Sequence, residues 1–286
     1  MKVGAMVESF GLGFEDGVRR AAKLGLDGIQ LYAVAGRFGP DEATDEILRE
    51  AYDFVTSHGL VFSAICGDFG GGFTNAEANK IKVEKSKRVL ENAKKLHCDI
   101  VTTHIGVVPE QECETKEIMR KACAELASFA DSIGSSFAVE TGPEKGKVLA
   151  EFLDSLGAGG VRVNFDPANL VMCSGERPEE ALPYLSRFVV HTHAKDGLLP
   201  DDRFNGHAPH LNPESVWRKV LSPSGSLEVP LGTGDVNFDT YLPLLHKAGF
   251  DGFLTIEREC GDRPDEDIAM AASFLREKIK KFGYES

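Results

Sequence analysis

The sequence predicts an α/β fold, a single (β/α)8 TIM barrel, from three observations. Eight short apolar runs alternate with longer amphipathic segments over 286 residues, which is the count and length typical of such a barrel. The segments "AAKLGLDGIQL" (21–31) and "LHKAGFDGFLT" (245–255) repeat one joint, in which a helix ends on Lys, Gly follows, and a short turn leads into a strand. No linker or low-complexity segment divides the chain, so we predict one domain spanning residues 1–286.

Short runs bounded by turn residues give the predicted strands: 2–7, 28–32, 60–66, 100–105, 137–141, 161–166, 188–193 and 252–257. Helical periodicity between them is clearest at 14–24, 41–57, 76–96, 116–133, 238–247 and 265–282. A doubly wound open sheet is the alternative for such an alternation. It would usually show a G-x-G-x-x-G turn after the first strand, and "VESFGLGFED" lacks that spacing.

One long irregular segment, at about 197–235, follows the seventh predicted strand and is rich in Pro, Gly, Asn and His. Loops of this length in compact domains usually have a function or contain small helices of their own. We therefore predict a long active-site loop here.

The composition argues against two classes of partner, nucleic acids and anionic membranes. The formal net charge is −13, with 32 basic and 45 acidic residues, whereas nucleic acids and anionic membranes bind basic surfaces. The N-terminal sequence "MKVGAMVESF" enters a strand directly, without the apolar stretch of a signal peptide. Six scattered cysteines form no C-x-x-C pair. We expect a cytoplasmic protein with free thiols and neither a nucleic-acid nor a membrane partner; the sequence is also compatible with a homo-oligomer.

Five successive predicted strands end on a carboxylate or an imidazole: His104, Glu140, Asp166, His193 and Glu257. The carboxyl ends of barrel strands meet at one face, where such enzymes place their chemistry. Inward-facing carboxylates repel each other there unless a cation neutralises them. The shared position of these residues therefore points to a cation site, although each carboxylate alone could equally be a helix N-cap or an ion-pair partner, and Asp166 stands before Pro167 as a cap would.

Two Glu, one Asp and one His form a hard, oxygen-rich ligand set. Such a set suits Mn²⁺, Mg²⁺ or Co²⁺, and Zn²⁺ remains an alternative. We predict one divalent metal ion as the cofactor.

The stretch "FVVHTHAKDG" (188–197) ends a buried strand with a cluster of polar groups. In a regular strand His191, His193 and Lys195 share one face. Two core histidines followed by a solvated turn are the alternative to a functional cluster. Further on, "GTGD" (232–235) could hold an anion on its backbone amides; the alternative is a turn into the next helix, with Asp235 or Asn237 as its cap.

The segments "VETGP", "NFDPANL", "HTHAKDG", "PLGTGDVNF" and "GFDGFLTIERE" resemble the xylose isomerase-like barrel superfamily over nearly the whole chain. That group includes sugar (phosphate) isomerases and epimerases, ketose 3-epimerases, inosose dehydratase-type lyases and endonuclease IV-type repair enzymes. The resemblance implies that Glu140, Asp166, His193 and Glu257 are the metal ligands. It also implies that Glu140 and Glu257 are the catalytic acid/base pair.

We predict substrate contacts for His104, Asn169, Lys195 and Asp196, of which the resemblance implies the first. His104 would face either the substrate or a second metal ion, and His191 would support or pack against the ligand His193. Ketose 3-epimerases have a His where this chain has Asn169, and an Asn-Arg pair in the region where Lys195 and Asp196 stand.

The implied function is a divalent-metal-dependent isomerase or epimerase, with a small-molecule carbohydrate as substrate and proton transfer next to a carbonyl through an enediolate. Three alternatives remain: a lyase or dehydratase using the same site, an endonuclease IV-like phosphodiesterase, and a non-catalytic sugar-binding barrel. The phosphodiesterase needs further histidines for a three-zinc cluster, and Cys66 and Asn169 stand where two are expected. His207 and His210 in the long loop are interpreted as loop residues.

Overall fold

A computed structural model describes residues 1–198 and 227–285, and eight parallel strands close into a barrel there. With the two short strands β8 and β9, which lie outside the barrel, the described strands are β1 Lys2–Met6, β2 Gly28–Tyr32, β3 Val61–Cys66, β4 Ile100–Thr103, β5 Ser136–Glu140, β6 Val161–Phe165, β7 Val189–Ala194, β8 Asp196–Leu198, β9 Leu227–Val229 and β10 Phe253–Ile256. The order around the barrel is β1-β10-β7-β6-β5-β4-β3-β2, and β8 pairs antiparallel with β9 outside it. The predicted (β/α)8 barrel is confirmed.

Helices follow the barrel strands along the chain, the last of them after β10: α1 Phe14–Lys23, α2 Asp45–Ser57, α3 Ala76–Lys95, α4 Glu114–Ser132, α5 Gly146–Asp154, α6 Pro167–Asn169, α7 Pro178–Leu185, α8 Phe238–Lys247 and α9 Pro264–Phe282. Six of them match the predicted helices to within a few residues. The sequence patterns did not predict α5, α6 or α7, which are short. In the described ranges, no helix combines the length and the hydropathy that crossing a bilayer requires.

The repeated helix–Gly–strand joint has the expected backbone conformation in both places. Gly25 and Gly249 have φ of 66° and 93°, the left-handed region that a side chain disfavours. Each glycine amide donates to the carbonyl three residues earlier in its helix. The turns then lead the chain into β2 and β10, so two strand starts are set by the same local chemistry.

The barrel interior contains polar side chains as well as aliphatic ones. Gln30 of β2 donates to Thr102 of β4, and the hydroxyl groups of Ser63 and Thr255 are 3.2 Å apart between β3 and β10. Neither pair lies on neighbouring strands, so both contacts cross the interior. The apolar core lies mainly between the barrel and its helices, as for Val55, Leu90 and Leu126. The interior thus offers hydrogen bonds to groups at the carboxyl end.

A close approach at the start of β6 sets the position of the site residues beyond it. A Cβ added to Gly160 would collide with the carbonyl oxygen of Ala127 in α4 and lie 2.7 Å from the backbone nitrogen of Asp131. The neighbouring Gly159 has room, since the nearest atom to its added Cβ would be a guanidinium nitrogen of Arg162, 3.4 Å away. Only the second of the two glycines is required by packing.

We expect Gly160→Ala to lower the free energy of unfolding by about 1–3 kcal/mol, the usual cost of overpacking, while Gly159→Ala changes it by less than about 0.5 kcal/mol. Thermal melts should show a drop of several degrees for the first variant alone, at about 2–4 °C per kcal/mol. Equal melting temperatures for the two variants would contradict this account of the α4–β6 packing.

Candidate metal centre

Four of the predicted site residues converge at the carboxyl end of the barrel. Glu140 ends β5, Asp166 follows β6, His193 lies in β7 and Glu257 follows β10. One ligand atom from each lies within 4.8 Å of all the others, and all four side chains are buried. In residues 1–198 and 227–285 this is the one group of three or more acidic, His or Cys side chains with such geometry. Strand ends that are distant in sequence therefore form one compact donor set.

The Nδ1 atom of His193 faces all three carboxylates. It lies 3.1 Å from Glu257 Oε2, 3.4 Å from Glu140 Oε2 and 3.7 Å from Asp166 Oδ2. Burial opposes a charge on His193, but the carboxylates of Glu257 and Glu140 outweigh it and raise the pKa of the ring well above its usual value. The ring can therefore carry a positive charge among the three acids.

The carboxylates respond unequally to this environment. Burial would raise the pKa of each, but the positive charges of His193 and Lys195 lower the pKa of Glu257 to about 2. The charges of His193 and His104 hold the pKa of Glu140 well below its usual range. Asp166 has fewer compensating contacts, and burial raises its pKa. The site thus holds at least two anions that need a cation close by.

Asp166 supplies the clearest test of whether a metal ion fits. Its Oδ1 accepts hydrogen bonds from the backbone N–H groups of Ala168 (2.8 Å) and Asn169 (2.9 Å), so it caps the turn that Pro167 begins. Its Oδ2 is fully buried, has no hydrogen-bond donor in the described structure, and points at the other ligand atoms. A buried carboxylate oxygen without a hydrogen bond costs free energy unless a cation binds it. The donor set fits a hard divalent ion.

Two asparagine amides hold Glu140. Asn164 Nδ2 donates to Oε2 at 3.1 Å, and Asn169 Nδ2 donates to Oε1 at 2.7 Å. We expected Asn169 to contact substrate. The structure places it on the cavity wall, with its amide already directed at a ligand carboxylate.

His104 lies at the cavity mouth, with about half of its side chain exposed. Its Nδ1 is 3.0 Å from Asp68 Oδ2, and its Nε2 is 3.5 Å from Glu140 Oε1. The two ring nitrogens thus serve two separate carboxylates. Asp68 is a site residue that the sequence reasoning missed, because its turn after β3 carries no distinctive motif.

Lys195 is a buried cation beside the ligands. Its Nζ donates to Glu257 Oε2 at 3.0 Å and to Glu259, and it lies 3.9 Å from Glu228 Oε2. Glu228 in turn binds Arg258 at 2.5 Å. Lys195 lines the cavity, and its predicted contact with substrate stays a prediction. No sequence motif predicts Glu228 or Glu259, which become neighbours of Lys195 only through the fold.

Asp196 differs from the expectation that it would face substrate. Its Oδ1 accepts the backbone N–H groups of Gly197 and Val236, and its Oδ2 accepts those of Gly232 and Gly234, all at 2.9–3.1 Å. The amides of the Gly-Thr-Gly turn therefore hold an anion, as one alternative anticipated, but that anion is the protein's own carboxylate. As the other alternative anticipated, Asn237 caps α8.

His191 and His193 meet at one buried amide. His191 Nε2 is 3.1 Å and His193 Nε2 is 3.2 Å from Oε1 of Gln30. Burial lowers the pKa of His191 to about 3, so this ring is neutral. Gln30 was missed by the sequence reasoning, although a lone polar residue in the apolar strand "GIQLY" was an available signal.

A cavity of about 160 Å³ opens above the site. Its walls include Glu140, His193, Glu257, His104, Asn169 and Lys195. Asp166 does not line it and is fully buried. Asp166 therefore faces only the candidate cation position, whereas the other three predicted ligands also face the cavity.

The extra histidines of a three-metal site are not found in the described ranges. Cys66 is buried, and burial raises the pKa of its thiol to about 12. His207 and His210 lie outside the described residues.

Comparison with known proteins identifies the family. A model of the xylose isomerase-like TIM barrel family matches residues 18–278. The chain belongs to the xylose isomerase-like TIM barrel family. A crystal structure of a xylose isomerase domain protein from Planctomyces limnophilus is 28% identical, with a TM-score of 0.80, and the match covers 98% of this chain and 96% of that one.

Two further structures of the same fold carry functional names. A D-tagatose 3-epimerase-like protein is 18% identical with a TM-score of 0.75, and the match covers 98% of this chain and 97% of the other. The probable 3-DHS dehydratase AsbF from Bacillus anthracis is 17% identical with a TM-score of 0.74, over 96% and 99% of the two chains. At these identities the likeness shows the fold.

We predict about one bound divalent ion per chain, and an Asp166→Asn variant that binds it more weakly. Asn retains the oxygen that caps Ala168 and Asn169, so the metal-free fold should keep its stability. Asp196→Asn is the matched control, because it leaves at least one turn amide without an acceptor. It should lower the free energy of unfolding by about 1–3 kcal/mol for each such donor and leave metal affinity unchanged.

Elemental analysis, Mn²⁺ titration and thermal melts measure both effects. Equal Mn²⁺ affinity in the native chain and Asp166→Asn would contradict the ligand assignment.

Metal affinity should rise with pH, by up to about tenfold per pH unit. The raised pKa keeps His193 protonated near neutral pH, and the ring must lose that proton before Nδ1 can bind a cation. The increase should stop once the pH exceeds this raised pKa. Titration calorimetry in two buffers of different ionisation enthalpy counts the released protons, and pH-independent affinity without proton release would refute the prediction.

Proposed function

We propose that the protein is a divalent-metal-dependent isomerase or epimerase of a small-molecule sugar or sugar derivative, acting by proton transfer next to a carbonyl through an enediolate. One observation supports this most directly. Of the three ligand carboxylates, Glu140 and Glu257 line the cavity and Asp166 does not. Two carboxylates on different barrel strands thus face the space where a substrate would lie.

The placement of the two glutamates suits proton transfer on two faces of one carbon. Glu140 ends β5 and Glu257 follows β10, and β6 and β7 separate these strands in the barrel. Each keeps one oxygen within 3.4 Å of His193 Nδ1. One carboxylate can therefore remove a proton while the other returns it to the opposite face.

A bound divalent ion would polarise the substrate carbonyl and offset the negative charge that develops beside it. Glu140, Asp166, His193 and Glu257 would hold that ion. Lys195 Nζ and His104 lie on the cavity wall, where they can donate hydrogen bonds to substrate oxygens. Burial of the ligands keeps bulk water from the carboxylates, which strengthens each of these interactions.

Similarity to a 3-epimerase-like protein and to a probable dehydratase supports this class of reaction without separating its outcomes. The same carboxylate pair could expel a β-hydroxyl group from the enediolate, which would make the protein a lyase. Product analysis after incubation with ketoses, inososes and keto-sugars in D₂O distinguishes the two. Deuterium in recovered or epimerised sugar supports the epimerase, and net loss of water supports the lyase.

Changing Glu140 or Glu257 to Gln should separate catalysis from metal binding. Gln keeps an oxygen donor and nearly the same volume but cannot act as a base. With metal in excess, turnover should fall by about 10²–10⁴-fold, the usual contribution of acid/base catalysis. One of the two variants should still exchange substrate hydrogen with D₂O, because it loses only the returning acid.

Glu176→Gln is the matched control. Glu176 is also buried but lies away from the cavity, where its carboxylate accepts the Gly146 N–H at 2.7 Å, a bond that Gln can still accept. Its turnover should stay near that of the native chain. Near-native turnover in both metal-loaded site variants would remove the two-carboxylate mechanism and favour a non-catalytic sugar-binding barrel.

A further inference from the structure

Gln30 makes a three-way contact across the barrel interior. It is fully buried in β2, and its Nε2 donates to Thr102 Oγ1 at 3.0 Å. Its Oε1 lies 3.1 Å from His191 Nε2 and 3.2 Å from His193 Nε2. Strand β7, which carries both histidines, is separated from β2 by β1 and β10. The amide of Gln30 therefore contacts both histidines from across the barrel interior.

The orientation of the Gln30 amide decides which nitrogen of each neighbouring histidine ring carries a hydrogen. A carbonyl oxygen has two lone pairs and accepts two hydrogen bonds, whereas it cannot donate one. A hydrogen bond from either ring to Oε1 therefore requires Nε2–H as the donor. Asn164 Nδ2 also lies 3.3 Å from His193 Nε2, but its shorter contact, 3.1 Å, is the hydrogen bond to Glu140 Oε2. A neutral imidazole carries a single N–H, so Nδ1 of each neutral ring is then the unprotonated atom.

That assignment matches the geometry on the other side of His193. Its Nδ1 faces the carboxylate oxygens of Glu257 and Glu140 at 3.1 and 3.4 Å, which is the position a shared cation would occupy. Ligand histidines commonly use their second nitrogen to donate to a fixed acceptor, which sets the tautomer and the ring orientation. In most such cases the acceptor is a carboxylate or a backbone carbonyl; here it is a side-chain amide.

We propose that Gln30 is a positioning residue for the metal centre: its carbonyl oxygen accepts the Nε2–H of His193 and so keeps Nδ1 free to bind the cation. The inference rests on the metal centre proposed above. His191 completes the arrangement by filling the second lone pair of the same oxygen, which fixes the amide in place. A reversed amide would present N–H groups to both rings and force the His193 proton onto Nδ1, where it would block the cation.

The tautomers can be read directly. Long-range ¹H–¹⁵N correlation spectra of the native chain, loaded with diamagnetic Zn²⁺, should show His193 with hydrogen on Nε2 and metal on Nδ1. In metal-free protein, the neutral His191 should show hydrogen on Nε2. Hydrogen on Nδ1 of either ring in these states would overturn the proposal.

Two substitutions test the consequence for binding. Gln30→Met has a similar length but no acceptor, and should weaken Mn²⁺ binding by about 10–100-fold, the usual effect of removing the partner of a ligand histidine. Gln30→Glu keeps an oxygen at the same position and should recover most of that affinity. Ser63→Ala is the matched control: it removes a buried hydrogen bond to Thr255 elsewhere in the interior and should leave Mn²⁺ affinity unchanged.

These measurements separate the proposal from a failure of the metal centre. Native Mn²⁺ affinity in Gln30→Met would overturn the role of Gln30, and so would an equal loss in Gln30→Met and Gln30→Glu, which would indicate general loosening. If the native chain bound neither Mn²⁺ nor Zn²⁺, the metal centre would fail, whereas the His191 tautomer would still decide the direction of the amide. Should Gln30→Met not fold, the spectra of the native chain carry the test alone.

Discussion

Mutual repulsion among three buried carboxylates is the constraint on which this structure depends. Two like unit charges about 4 Å apart repel by roughly 4 kcal/mol at an effective dielectric constant near 20, and Glu140, Asp166 and Glu257 offer oxygens within 4.8 Å of one another. The surroundings offset this in several ways. Asparagine amides bind Glu140, Lys195 binds Glu257, and a backbone cap binds one oxygen of Asp166. The other oxygen of Asp166 has no hydrogen-bond donor within the described residues, and a bound cation would satisfy it.

The three carboxylates differ in burial and in the groups that orient them. Asp166 lies at the start of a turn whose backbone amides fix its direction, so its position depends little on other side chains. Glu140 and Glu257 have longer side chains that line the cavity, and Asn169 and Lys195, which also line it, bind them. Under the proposed function, ion binding and proton transfer would share this single set of residues.

Much of the architecture could be predicted from local patterns, because alternation of apolar runs and glycine-capped joints are properties of neighbouring residues. The four candidate ligands could be predicted for a related reason: a barrel brings all its strand ends to one level. The polar side chain of Gln30 in an apolar strand was a visible signal, but its role could not be predicted, since its partner His191 is 161 positions away and only strand order brings them together. The direction of Asp196 was equally hidden, because three of its four donors, Gly232, Gly234 and Val236, lie at least 36 positions away. Helix α7 was missed because it is short and contains Pro183.

The antiparallel pairing of β8 with β9 has a consequence for changes in chain length between these two strands. Asp196 pairs with Val229 and Leu198 with Leu227, so the chain leaves and re-enters the scaffold at one point. Loop-closure entropy grows only slowly with length, at about 0.6 kcal/mol per doubling. Insertions or deletions between these two strands therefore carry a small thermodynamic penalty.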